Sequence, residues 1–274
     1  MNIFDILFIQ PFLNILVGFY QLFTSSGIPY AVGFSVISLT IAVRFALYPF
    51  MKQSLEQQKR MQSLMPKLNK IKEKHKNDIK AAQMEQMALF KAEGVNPASG
   101  CFLLLLQLPV LIGLYSVFIK VFQTTNIADI NKYMYTPALT LSDMWDLNFF
   151  GLSLHTPPSQ MVEQYGIGIF LIAIVTGALQ LIQAKMMAPT AASKAKQPKK
   201  DTPDFASTFQ TQMLYMLPIF VGFFAHTLPF GLSLYWNTLT IFGIIQQYTV
   251  QKWGGLVDWF PFLPSEKTKV SKYE

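Results

Sequence analysis

The residues from Ile28 to Pro49, IPYAVGFSVISLTIAVRFALYP, constrain the chain more than any other stretch. They are apolar over a length that crosses a bilayer, for which about 20 residues suffice. Yet Arg44 stands inside the run. An arginine at membrane depth costs at least about 2.5–3.5 kcal/mol on insertion scales. It has to face water, a partner or a cavity, and it therefore marks a functional position.

The rest of the chain has the same character. Hydrophobic residues make up 51% of the 274 and charged residues 14%, whereas globular domains carry about 25% charged residues. The apolar residues gather into long runs, and the short alternating segments of outer-membrane barrels are absent. The expected fold class is all-α: a polytopic membrane protein with five transmembrane helices, a cytoplasmic helical hairpin and an N-terminal interfacial helix. The spans fall at 28–50, 97–122, 164–187, 211–228 and 229–252, with the hairpin at 51–96. Loops at 123–163 and 188–210 and a tail at 253–274 complete the chain.

Residues 1–27 admit two readings. Asn2, Asp5, Gln10, Asn14 and Gln21 fall within about half of a helical wheel, and Pro11 would interrupt a span. Both features favour an amphipathic helix lying in the extracytoplasmic interface; a spanning helix is the alternative. Residues 1 to 43 contain no Lys or Arg, so no cleavable signal is expected. The lone Cys101 supports neither an internal disulfide nor a Cys-based metal site.

The 51–96 segment is polar, with ten Lys/Arg and five Asp/Glu. Leu55, Met61, Leu64, Met65, Leu68 and Ile71 recur at helical spacing. A turn at His75–Asp78 leads into a second helix carrying Met84 and Met87, and Gly94 and Pro97 end it. Met61, Met65, Met84 and Met87 give the hairpin an adaptable apolar face, although methionines at this spacing more often serve packing within a hairpin. The basic hairpin and 188–210 loop belong in the cytoplasm by the positive-inside rule. The N-terminus and the 123–163 loop, with one Lys and four acidic residues, then lie outside. MWDLNFF, at 144–150, is expected at that interface.

Enzyme signatures are missing, and no enzyme, cofactor or metal is expected. His75, His155 and His226 are scattered, and no phosphate loop or nucleophile elbow occurs. Basic residues sit in loops beside spans, so no nucleic acid binding is expected. What remains is polarity inside the spans. Thr40 lies one turn before Arg44 on the same face. Gln107 sits in the second span, Gln180 and Gln183 in the third, and Tyr235, Trp236, Asn237, Thr238 and Thr240 in the fifth. Converging faces would form a hydrated groove around one positive charge, able to hold a polypeptide. Plain interhelical hydrogen bonding, at about 0.6 kcal/mol on average, competes with this and is favoured for Gln183, Gln246 and Gln247. A small anion transporter or channel using Arg44 as its binding charge is the rival function.

The motifs SLTIAVRFALYPF, QLPVLIGLY and PFGLSLYWNTLTIFGIIQQY resemble the first, second and fifth spans of YidC-type membrane protein insertases. That family includes the mitochondrial oxidase-assembly and chloroplast Albino proteins, and the resemblance runs from about Ile28 to Lys252. It implies a five-helix core in the bacterial plasma membrane, N-terminus outside and C-terminus in the cytoplasm. It also implies a hydrophilic groove open to cytoplasm and lipid, with nascent membrane proteins as substrates. A SecYEG-type translocon and the ribosome are candidate partners. The family's groove arginine falls on Arg44, its third-span glutamine on Gln180 and its fifth-span aromatic on Trp236. The large extracytoplasmic domain, the lipoprotein signal and the long basic tail of some members are not found in this sequence.

Overall fold

The computed structural model describes residues 2–75, 78–96, 99–124, 126–188, 190 and 205–264. Lys76, Asn77, Pro97, most of the 188–210 loop and the tail from 265 lie outside these, as does the side chain of Cys101. The apolar runs form helices: α1 (Gln10–Ser25), α2 (Ala31–Ala46), α5 (Ser99–Gln123), α8 (Leu171–Met187), α9 (Phe205–Thr227) and α10 (Phe230–Gln251). The charged segment forms α3 (Tyr48–Lys74) and α4 (Ile79–Ala92), and short helices α6 (Ile127–Asn131) and α7 (Val162–Tyr165) lie between α5 and α8. The chain divides into two compact units, residues 1–48, 103–180 and 216–242 forming the first and residues 49–102, 181–215 and 243–274 the second.

In the first unit, α1 follows a π-helical turn, Asp5–Ile9. Contrary to the sequence expectation, Pro11 does not break this run. It sits in the first turn of α1, where the missing N–H is least needed, and the π turn ahead of it absorbs the displaced backbone bond. Asp5–Ser25 is 21 residues long and apolar enough to cross a bilayer. The polar side of α1 is used for attachment. Buried Asn14 donates to Tyr133 O at 2.8 Å and accepts from Tyr135 N at 2.8 Å, and Gln21 donates to Thr140 O.

The core of this unit gathers Leu13, Leu16 and Val17 of α1, Val36 and Leu39 of α2, Leu114 and Phe118 of α5, and Tyr235 of α10. Two of the aromatics expected at the interface belong to it. Trp145 and Phe149 are buried, while Phe150 is exposed. The reason lies in Gly33 of α2: a Cβ there would come within 1.9 Å of the Phe149 ring, so the missing side chain makes the socket that Phe149 fills. Phe149 ends a short ribbon, β1 (Asn148–Phe149) and β2 (Leu152–Ser153). Its two-residue turn puts Phe150 at φ 49° and Gly151 at φ 86°, the paired positive φ of a type I′ hairpin. Beyond β2, Leu154 O and Thr156 O accept from Gly231 N and Phe230 N, satisfying orphan donors at the start of α10.

α8 and α9 approach closely, because a Cβ on Gly222 would lie 3.1 Å from Ala173 O and one on Gly177 3.3 Å from Pro218 O. Their outer faces carry exposed Leu171, Ile174, Ile219 and Phe223, as suits contact with lipid. Pro49 cannot donate to Phe45 O, and α2 ends at Ala46. α2 is therefore 16 residues, about 24 Å at 1.5 Å per residue, and Arg44 lies in its last turn.

In the second unit, α3 and α4 pack through a small core of Leu64, Leu68 and Val95, flanked by Met61, Met65, Leu89 and Phe90. Asp78 caps α4 by accepting from Ala81 N at 2.9 Å. The end of α8 is closed by a 3₁₀ turn, Gly254–Asp258. A Cβ on Gly254 would lie 1.9 Å from Met186 O, and Lys185 bonds Asp258 at 3.2 Å.

Candidate functional site

Arg44 is 6% exposed. Its Nη2 donates to Leu239 O of α10 at 3.1 Å, and Tyr235 lies near enough to interact with it electrostatically. Tyr235 and Leu239 are four residues apart and share a face. Tyr235, 1% exposed, also packs on Phe118, with ring centroids 5.7 Å apart.

The next face of α10 carries Trp236 and Thr240, again four apart. Gln180 Oε1 of α8 accepts from Trp236 Nε1 at 3.3 Å. Thr240 Oγ1 lies 3.3 Å from the same oxygen and 2.9 Å from Trp236 O, so one hydroxyl proton serves two acceptors. One helix thus carries two polar clusters on neighbouring faces: Arg44 with Tyr235 and Leu239 O, and Gln180 with Trp236 and Thr240.

The other expected groove residues are placed differently. Thr40 is buried, and its hydroxyl bonds Val36 O of its own helix at 2.7 Å, the back-bonding common to helical threonine. Gln107 Nε2 and Asn237 Oδ1 are buried with no hydrogen-bond partner among the described residues, and they join neither cluster. Gln246 and Gln247 correct the sequence expectation. Both are buried, and no oxygen or nitrogen of either side chain is hydrogen-bonded among the described residues. The neighbouring Gln251 side chain, by contrast, donates to Leu55 O of α3. Reasoning from residue type missed Leu239, whose contribution is a carbonyl, and gave Thr240 no special weight. Its spacing of four from Trp236 was the available signal.

The hairpin methionines divide. Met61 and Met65 pack against the Leu64–Leu68–Val95 core, whereas Met84 and Met87 of α4 are 69% and 49% exposed, near exposed Ile79. Glu85 accepts from Lys74 at 2.9 Å and contacts the His75 ring. These bonds, Lys74 first, hold its carboxyl below the ordinary value of 4.5. Among the described residues no group of three or more His, Cys, Asp or Glu is placed to hold a metal ion.

Chemically, the arrangement offers a buried guanidinium and, on the neighbouring face of α10, an indole hydrogen-bonded to an amide. It suits an acidic or polar segment in a partly dehydrated setting.

Residues 21–255 match the 60Kd inner membrane protein family. The chain is 33% identical over 239 residues to the chloroplastic inner membrane protein ALBINO3 of Arabidopsis thaliana, covering 83% of this chain and 48% of the relative. It is 33% identical to the membrane protein insertase YidC of Pelagibacter ubique, over 80% of this chain and 35% of that one. With YidC of Chlamydia caviae it shares 31% identity over 89% of this chain and 28% of the relative. The chain thus spans about half, or less, of the length of these curated relatives. Its fold is similar to the crystal structure of an active YidC insertase with the first transmembrane domain resolved. The TM-score is 0.54 at 22% identity, over 91% of this chain and 46% of that chain. At that identity the likeness concerns the fold alone.

Proposed function

The chain belongs to the 60Kd inner membrane protein family, and from that premise we propose that it is a membrane protein insertase and chaperone. It moves nascent hydrophobic segments from the cytoplasm into the bilayer through a hydrophilic groove around Arg44. The observation that carries this is the buried Arg44 beside α10, in a chain whose five proposed spans, between residues 28 and 252, contain no Asp or Glu. An acidic substrate tail brings the complementary charge to Arg44.

The proposed topology has five spans in a bacterial plasma membrane, N-terminus outside. α1 stays at the outer face, where Asn14 and Gln21 tie it to residues 133–140. The α3–α4 hairpin lies in the cytoplasm and captures a nascent apolar segment through Met84 and Met87. The short polar tail of the substrate enters the groove and is held near Arg44. Two unit charges about 4 Å apart attract by about 1 kcal/mol in water and about 4 kcal/mol at an effective dielectric of about 20, so a partly dehydrated groove holds the tail far better than solvent does. The apolar segment meanwhile moves along α8 and α10 into lipid, and its burial drives release. The cycle forms no covalent bond and uses no nucleotide or cofactor, and the chain itself binds no nucleic acid. Nascent membrane proteins are the substrates; a SecYEG-type translocon and the ribosome are proposed partners.

The test is reconstitution of the purified chain in liposomes with a single-span substrate bearing an acidic tail. The insertase reading predicts protease-protected substrate and no anion flux when substrate is absent. Substrate-free anion flux without insertion would assign Arg44 to transport instead.

A further inference from the structure

Three side-chain donors, two from α3 and one from α10, join the α3 stretch 55–62 to the ends of two span helices, all within the second unit. Lys59 Nζ donates to Val250 O at the end of α10 at 3.1 Å. Gln62 Nε2 donates to Met187 O, the last residue of α8, at 2.8 Å. In return, buried Gln251 of α10 donates through Nε2 to Leu55 O at 3.0 Å and to Gln58 Oε1 at 3.2 Å.

The acceptors explain the choice of donors. The last carbonyls of a helix have no partner within it, and their partial negative charge favours a cation. Lys59 and Gln62 therefore act as C-caps supplied from another helix. Spacing matters too: residues 55, 58, 59 and 62 recur at three and four, so one face of α3 makes every contact. One turn beyond, Pro66 stands inside α3. It has no N–H to give to Gln62 O, so the helical ladder is interrupted where the clamp ends. The Leu64–Leu68–Val95 core begins at this point.

We propose that Lys59, Gln62 and Gln251 are positioning residues for insertion: they fix the root of the hairpin to the ends of α8 and α10 and so set where the Met84–Met87 surface is presented. None of the three touches the substrate. At a membrane–water boundary the capped carbonyls could be satisfied by solvent, so the spans do not need these bonds in order to fold. Their role is direction. The inference rests on the insertase reading, and its test keeps the two separable.

Photocrosslinking probes at Met84 and at Gln180 report hairpin capture and groove entry on one translating single-span substrate. Lys59→Met and Gln62→Leu are expected to leave the Met84 yield unchanged. The Gln180 yield should fall about tenfold in Lys59→Met, the shift that loss of one charge-assisted hydrogen bond produces, and about fivefold in Gln62→Leu, whose lost bond joins neutral groups. Lys59→Arg, which retains a cationic donor, should recover most of it. Gln251→Leu should reproduce the defect from the α10 side. Equal loss at both positions, or no loss at either, overturns the positioning role. The absence of both crosslinks in the unaltered protein overturns the insertase reading and this inference with it. Thermal unfolding of each variant in detergent separates a positioning defect from misfolding: a variant that unfolds like the parent and still loses only the Gln180 crosslink supports the assignment.

Discussion

Arg44 is less costly where the structure puts it than the sequence alone suggests. It lies in the last turn of α2, and a cation there gains about 0.3–1 kcal/mol from the helix dipole, up to about 2 in partly buried geometry. The bond to Leu239 O adds to that gain against an insertion cost of about 2.5–3.5 kcal/mol. Charge is then the property to test. Arg44→Ala should lower insertion of substrates with acidic translocated tails about tenfold, which is the loss of roughly 1.4 kcal/mol of differential interaction. Arg44→Lys should stay within a few-fold, despite its different donor geometry. Insertion yield in proteoliposomes reads both, and equal loss would mean that the guanidinium fork matters more than its charge. Arg44, Gln180 and Trp236 were legible because a polar or indole group inside an apolar run stands out. The acceptor on Leu239 was not, since a backbone carbonyl carries no residue-type signal. Thr40 misled for a related reason: helical spacing gives its face correctly, but the hydroxyl is taken by Val36 O.

At the scale of elements, helix positions were readable from apolar periodicity, with ends set by local chemistry such as Pro49 and Gly94. Packing partners were less readable. Nothing in MWDLNFF announces that Gly33, more than a hundred residues earlier, makes room for Phe149. The α8–α9 contact is of the same kind. Gly222→Leu places bulk against the Ala173 carbonyl and should cost about 1–3 kcal/mol, the usual penalty of overpacking, seen as a lower unfolding midpoint in detergent. The hairpin tip makes an electrostatic prediction. The Glu85 carboxyl is held below 4.5 by Lys74 and His75, so its contribution is fully present above 4.5 and is lost as pH falls through the lower folded value. A spin label at Ile79 should keep its mobility from neutral pH down to 4.5 and loosen below that, whereas Glu85→Gln should be loose throughout.

For the whole molecule, the sequence and the structure contribute different things. Charge asymmetry between 51–96 and 123–163 argues for sidedness, which is a property of loops and needs no coordinates. The two clusters on α10 had to be seen, because convergence of Arg44, Gln180 and residues near 235–240 depends on how α2, α8 and α10 meet. Residues 1–27 illustrate the limit of the helical wheel. A polar stripe reads equally as a face toward water or as a seam of attachment, and in α1 Asn14 and Gln21 use it for attachment. The central claim is that the Arg44-centred groove holds substrate, and site-specific photocrosslinking from Gln180 and Trp236 to a translating single-span substrate tests it most directly. The account predicts crosslinks at both positions, weakened in Arg44→Ala when the translocated tail is acidic. Silence at both positions, in a chain that still reconstitutes and folds, would contradict it.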